Sequence, residues 1–248
     1  MAQLHLLFDF GGVLVDLDRA RCVQAFERLG FDVQHMLGTY KQGGVLQQLE
    51  RGETDVAGFC REMRRAAGSH HTPDADIVAA WESYLTEVPA ERLDMLLKIR
   101  RHYPVSVLSN TNVIHWQQAC QQFFRYKGLG IDDFFDHKFL SYEMGVEKPD
   151  PAIFHAVVAK MQVPAEDILF LDDSAENCEA ARRCGMKAVV APAHSGWLPL
   201  FDDDGRLTMA LCSLPPCHSI FTRVHRIFHP IPQYFHPIQH EALYTPYL

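Results

Sequence analysis

The chain has 248 residues, 48% of them hydrophobic and 22% charged, with a formal net charge of −8 and an isoelectric point near 5.9. This composition suits one sizeable globular domain, or a core with a smaller satellite. The acidity argues against a nucleic-acid or anionic-membrane surface, although one locally positive site for a small anion remains compatible with it. The basic clusters Arg61, Arg64, Arg65 and Lys98, Arg100, Arg101 read as solvated helix faces.

In chain order, the first element is LLFDFGGVLVD (6–16), an apolar run that stops at Asp9 and turns through Gly11 and Gly12. The stretch 17–99 then carries apolar residues at helical spacing: Cys22, Val23, Phe26, Leu29, then Val56, Phe59, Cys60, Met63, then Ile77, Ala80, Trp81, Tyr84. It reads as a helical insertion whose Met63 and Trp81 form its own core. Three further strand-like runs follow, VSVLSN (105–110), ILFLDD (168–173) and KAVVA (187–191), separated by helical patterns at 113–123, 151–161 and 174–184. Alternating strands and helices predict an α/β fold with a parallel sheet, 1–16 and 100–201, and a helical lid, 17–99, inserted after its first strand. Beyond 202 the periodicity dissolves into a His/Pro-rich tract with the echo FHPIPQ and FHPIQH, so 202–248 is expected to be a loosely ordered extension.

Seven cysteines lack paired spacing, as expected for reduced thiols, and Cys212, Cys217 and His218 fit no zinc pattern. The N-terminus lacks a basic region, and no run approaches the roughly 20 apolar residues of a membrane span. A soluble, cytoplasmic protein without a membrane partner is the expectation.

In parallel α/β sheets, ligands bind beyond the carboxyl ends of the strands. Asp9, Ser109 and the pair Asp172, Asp173 all fall at that edge, and Lys148 stands in GVEKPDPAIF (145–154). Three gathered carboxylates need a cation, and hard oxygen ligands suit Mg²⁺. A serine hydroxyl and a lysine suit a phosphoryl group, so the set describes Mg²⁺-assisted phosphoryl transfer.

These residues, in this order, resemble the haloacid dehalogenase-like hydrolase superfamily over about residues 4–191. FDFGGVLVD, VLSNTNVIHW, LSYEMGVEKPDPAIF and FLDDSAENCEAARRCGM are similar to its bacterial alpha-D-glucose-1-phosphate phosphatase branch. The resemblance implies a Rossmann-like core, 1–16 and 100–201, with a helical cap, 17–99, and Asp9 as a nucleophile forming an aspartyl-phosphate. It implies Mg²⁺ held by Asp9, the Gly11 carbonyl and Asp173, with Asp172 beside the metal and Asn177 behind it. Ser109 and Asn110 would contact the phosphoryl group, and Lys148 would offset its charge and orient Asp9. The substrate would be a small phosphorylated metabolite.

Phosphatases of the superfamily usually carry a second aspartate two positions after the nucleophile, as general acid for the leaving alcohol. Here that slot is Gly11. An unassisted leaving group suits a sugar 1-phosphate, whose anomeric oxygen departs readily. Alternatives are a 2-haloacid dehalogenase, which would use no Mg²⁺ and leave Asp172 and Asp173 unexplained, and a catalytically weak phosphate-binding regulatory protein. Glu50 and Arg51 of LERGE match a segment of the branch; Glu50 would hydrogen-bond sugar hydroxyls, act as a replacement acid, or simply end a solvated helix.

Overall fold

The computed structural model describes residues 3–38, 42–68 and 71–208. The 209–248 part of the proposed extension, with Cys212, Cys217 and His218, lies outside the described residues. Among the described residues no helix is long and apolar enough to cross a membrane, and the five described cysteines are unpaired.

Five parallel strands form one sheet. They are β1 (His5–Phe8), β2 (Val105–Ser109), β3 (Lys138–Leu140), β4 (Ile168–Asp172) and β5 (Lys187–Val190), in the order β3-β2-β1-β4-β5. Register is set by Leu6 opposite Val105 on one side and Leu6 opposite Leu169 on the other. Both faces are covered, which is why every residue of β2 and β4 is buried rather than every second one. Successive residues still point to opposite faces. Leu6, Phe8, Val107, Leu169 and Leu171 join one core cluster, while Leu7, Leu108, Ile168 and Phe170 join the other.

Between β1 and β2 the chain forms α1 (Arg19–Arg28), α2 (Gly44–Glu50), α3 (Val56–Ala67), α4 (Asp74–Glu82) and α5 (Ala90–Ile99). The chain's two passages between sheet and helices pair with one another. Asp18 N donates to Tyr84 O and Thr86 N to Asp16 O, with Leu17 bridged to Leu85. This paired hinge precedes α5, which packs on the 194–200 turn and on Gly205. All five of these helices fall within 17–99, the stretch expected as the insertion. Met63 and Trp81 are buried.

After β2 come α6 (Val113–Gln118), continued by a π turn, α7 (Ile131–Phe134), α8 (Ser141–Met144), α9 (Pro151–Met161) and α10 (Ala175–Arg183). The helices at 151–161 and 174–184 form as the spacing predicts; β3 does not figure in it, because three residues are too few to display a period. Residues 202–208 also depart from expectation. They fold back rather than dissolving: Asp202 accepts from the Asp204 and Arg206 amides, Leu207 is buried, and Phe201 bridges to it.

Candidate active site

Asp9, Ser109 and Asp172 sit at or just past the carboxyl ends of β1, β2 and β4. The chain runs outward from β1 in one direction through β2 and β3, then returns to its other side through β4 and β5. That reversal opens the crevice in which parallel sheets bind ligands. The loop after Asp9 closes tightly, with Leu14 N and Val15 N both donating to Phe10 O. Gly12 has φ +84°, and a β-carbon there would stand 2.6 Å from Asp173 Oδ2, so this position requires glycine. Gly11 is different: its β-carbon would meet only the Leu17 side chain, at 3.4 Å.

Lys148 lies at the centre of the site, almost fully buried. Its ammonium donates to Asp9 Oδ1 at 2.6 Å, Asp172 Oδ2 at 2.7 Å and Leu108 O at 3.1 Å. All three donors are thereby used, so Lys148 offers an incoming anion its charge and not an open N–H. Burial alone would lower its pKa, but Asp172 and Asp9 together raise it, and it stays protonated. Asn110, expected at the phosphoryl group, lines the pocket. Its amide donates to Lys148 O at 2.9 Å and accepts from Lys148 N at 2.7 Å, clamping the lysine's backbone to β2.

Asp172 is fully buried and its carboxylate is occupied by Lys148, by Ser174 N at 2.8 Å and by the Asn177 amide at 3.1 Å. Ser174 caps α10, which turns Asn177 back onto Asp172. Asp173 is less enclosed; burial, then Asp172, raise its carboxyl to about 6. Burial also raises Asp9, with Lys148 opposing and Asp172 and Asp173 adding to the rise.

One carboxylate oxygen from each of Asp9, Asp172 and Asp173 lies within 4.8 Å of the others. Three carboxylates against one ammonium leave an excess of two negative charges. A hard divalent cation fits both that charge and the all-oxygen donor set. Asp9 and Asp173 are the donors with capacity left, since Asp172 is already satisfied.

The pocket over this edge holds about 620 Å³ of empty space, part of it open to solvent. Its floor is Asp9, Gly11, Ser109, Asn110, Lys148 and Asp173; its roof includes Leu17, Gln42, Glu50 and Tyr84 from the cap side. Arg51 does not line it and pairs instead with Glu53. Gln42, Tyr84, Thr111 and His115 are pocket residues that sequence reasoning missed. Tyr84 was legible only as an apolar helical position, and His115 followed a helix cap, Asn112, which accepts from the Ile114 and His115 amides. Burial lowers His115 to about 4. The ring is therefore neutral, and its Nε2 lies 2.9 Å from Trp81 O, tying α6 to the cap.

Comparison with known proteins bears on this geometry. Residues 5–185 match the family model for haloacid dehalogenase-like hydrolases. The chain belongs to the haloacid dehalogenase-like hydrolase family. Within that family it is 34% identical over 194 residues to the D-ribitol-5-phosphate phosphatase of Bacteroides thetaiotaomicron, covering 78% of this chain and 94% of that one. A haloacid dehalogenase family enzyme from the same organism, solved with magnesium and inorganic phosphate, superposes with a TM-score of 0.76. Its identity is 38%, over 81% of this chain and all of that one. A haloacid dehalogenase-like hydrolase of Porphyromonas gingivalis gives a TM-score of 0.73 at 31% identity, over 79% and 95%.

Proposed function

We propose that the protein is a Mg²⁺-dependent phosphomonoesterase acting on a small polyhydroxylated metabolite through an aspartyl-phosphate at Asp9. The observation that carries this reading is the cluster of Asp9, Asp172 and Asp173 around the single ammonium of Lys148. A dehalogenase, which uses no Mg²⁺, would leave the gathering of Asp172 and Asp173 beside Asp9 unexplained. The relatives named as phosphatases, and the neighbour solved with magnesium and phosphate, support the same reading.

Asp9 and Asp173 would hold Mg²⁺ with the Gly11 carbonyl, and the ion would offset charge on the phosphoryl group. Lys148 fixes the Asp9 carboxylate by a hydrogen bond to Oδ1, leaving Oδ2 to attack phosphorus. Asp172, itself held by Asn177 and Ser174, keeps Lys148 charged and in place. Ser109, at the end of β2, lines the floor where the phosphoryl group would lie and offers it a hydroxyl. Water then hydrolyses the aspartyl-phosphate and restores Asp9.

Gln42, Glu50 and Tyr84 give the roof a polar lining suited to hydroxyl groups. Two substrates meet this description. Gly11, where an acid would otherwise stand, favours a sugar 1-phosphate. Similarity to the ribitol-5-phosphate enzyme favours the primary phosphate of a polyol. Phosphate release from both kinds of ester, each assayed with Mg²⁺ and with chelator, decides between them. Release from neither would refute the reading.

A further inference from the structure

Position 11 leaves a proton unaccounted for. An alkoxide leaving from phosphorus is a poor leaving group, and general acid catalysis typically contributes about 10²–10⁴-fold to such a step. The loop after Asp9 supplies no acid, although its geometry would accept a side chain at Gly11. For an alkyl ester a donor would have to come from elsewhere in the pocket wall.

Glu50 closes α2, and the chain around it is fastened to the sheet side of the molecule. Ser141 Oγ donates to Glu50 O at 2.6 Å, and Gln47 Nε2 donates to Glu147 Oε1 at 2.6 Å. Two residues on, Gly52 has φ +66° and passes so close to Tyr142 that a β-carbon would stand 2.1 Å from its carbonyl oxygen. The close approach admits only glycine and fixes the end of α2 over the crevice. Glu50 is consequently 5% exposed, and it lines the same pocket as Asp9 and Asp173. Burial and the neighbouring Glu147 both raise its pKa well above the usual carboxylate range. Of the other titratable groups lining the pocket, Asp9, Asp173 and Lys148 belong to the nucleophile and cation cluster, Tyr84 is pushed up to about 12 and His115 is neutral, so none replaces it as donor and acceptor of this proton near neutrality.

We infer that Glu50, from the cap, is the general acid that protonates the leaving oxygen. The inference rests on the phosphomonoesterase reading. Asp9 attacks phosphorus as the ester P–O bond breaks; the electron pair passes to the leaving oxygen, which takes the Glu50 proton. Glu50, now a carboxylate, takes a proton from the water that cleaves the aspartyl-phosphate, and the acid is restored. The acid is thus supplied by the cap, held over the crevice by the contacts of Gln47, Glu50 and Gly52. Primary polyol phosphates then need no acid at position 11.

The test is a leaving-group series measured under conditions where chemistry limits the rate: 4-nitrophenyl and phenyl phosphate against ethyl and butyl phosphate, with Mg²⁺. In the unmodified protein the rate should fall only shallowly as the leaving alcohol becomes less acidic; a steep fall overturns the inference. In Glu50→Gln the loss on the alkyl esters should exceed the loss on the aryl esters by about 10²–10⁴-fold. An equal loss across the series, or none on the alkyl esters, also overturns it, because these probes carry no sugar hydroxyls for Glu50 to bind. If the unmodified protein releases phosphate from none of these esters, nor from a sugar or polyol phosphate, the phosphomonoesterase reading fails and the inference with it.

Discussion

Lys148 Nζ lies 2.6 Å from Asp9 Oδ1, a contact made across 139 residues of sequence and shielded almost completely from water. The same ammonium holds Asp172, so a single cation sits between two buried carboxylates. Lys148→Met should therefore act twice. Breaking a buried ion pair leaves unpaired charge and costs about 3–5 kcal/mol, which urea unfolding in chelator would measure. Losing the charge that orients Asp9 should lower kcat by about 10²–10³-fold, as removal of a preorganised donor typically does. A variant of unchanged stability and turnover would show that the pair is dispensable.

Adjacent glycines should behave oppositely. Gly12→Ala forces a side chain into a left-handed backbone and against Asp173 Oδ2. By displacing that carboxylate it should raise the Mg²⁺ concentration for half-maximal rate about 10-fold or more. Gly11→Ala places a β-carbon against the Leu17 side chain alone, so its unfolding free energy should remain within about 1 kcal/mol of the parent. A Mg²⁺ titration of the first variant and a denaturation curve of the second check the contrast.

His115 predicts a pH dependence of stability. Its folded pKa lies at about 4, below the usual histidine value of 6.5, because burial disfavours the charged ring. The unfolded chain then binds more protons between those values, so the contribution is full above pH 6.5 and is lost as pH falls towards 4. Between pH 7 and 4.5 this amounts to about 2–3 kcal/mol. His115→Gln removes the titration while keeping a donor for Trp81 O. The parent should lose about that much more stability than the variant over this interval, by unfolding at both pH values.

Much of the site was legible because its residues end strands. Asp9, Ser109 and Asp172 each close an apolar run, and that pattern alone places them at one sheet edge. The roles within the edge were less legible. Asn110 stands beside Ser109 in sequence, yet its side chain is consumed by the Lys148 backbone, a pairing 38 residues distant that no local pattern encodes. The separation of Asp172 from Asp173 likewise depends on Lys148 and Asn177 claiming the first. The pocket roof was harder still. Gln42, Glu50 and Tyr84 come from separate stretches of the chain and meet only at the folded pocket. The fold departed from expectation where a segment was short, as in β3, or where a few anchors sufficed, as at Asp202 and Leu207.

The central claim is that Asp9 performs Mg²⁺-dependent hydrolysis of a phosphomonoester. The most direct measurement is the initial rate of phosphate release from a sugar 1-phosphate and from a primary polyol phosphate, by the parent protein and by Asp9→Asn, with Mg²⁺ and with chelator. The account predicts turnover of at least one ester by the parent in Mg²⁺, and background rates for the parent in chelator and for Asp9→Asn throughout. Turnover that persists in chelator, or in Asp9→Asn, would contradict it.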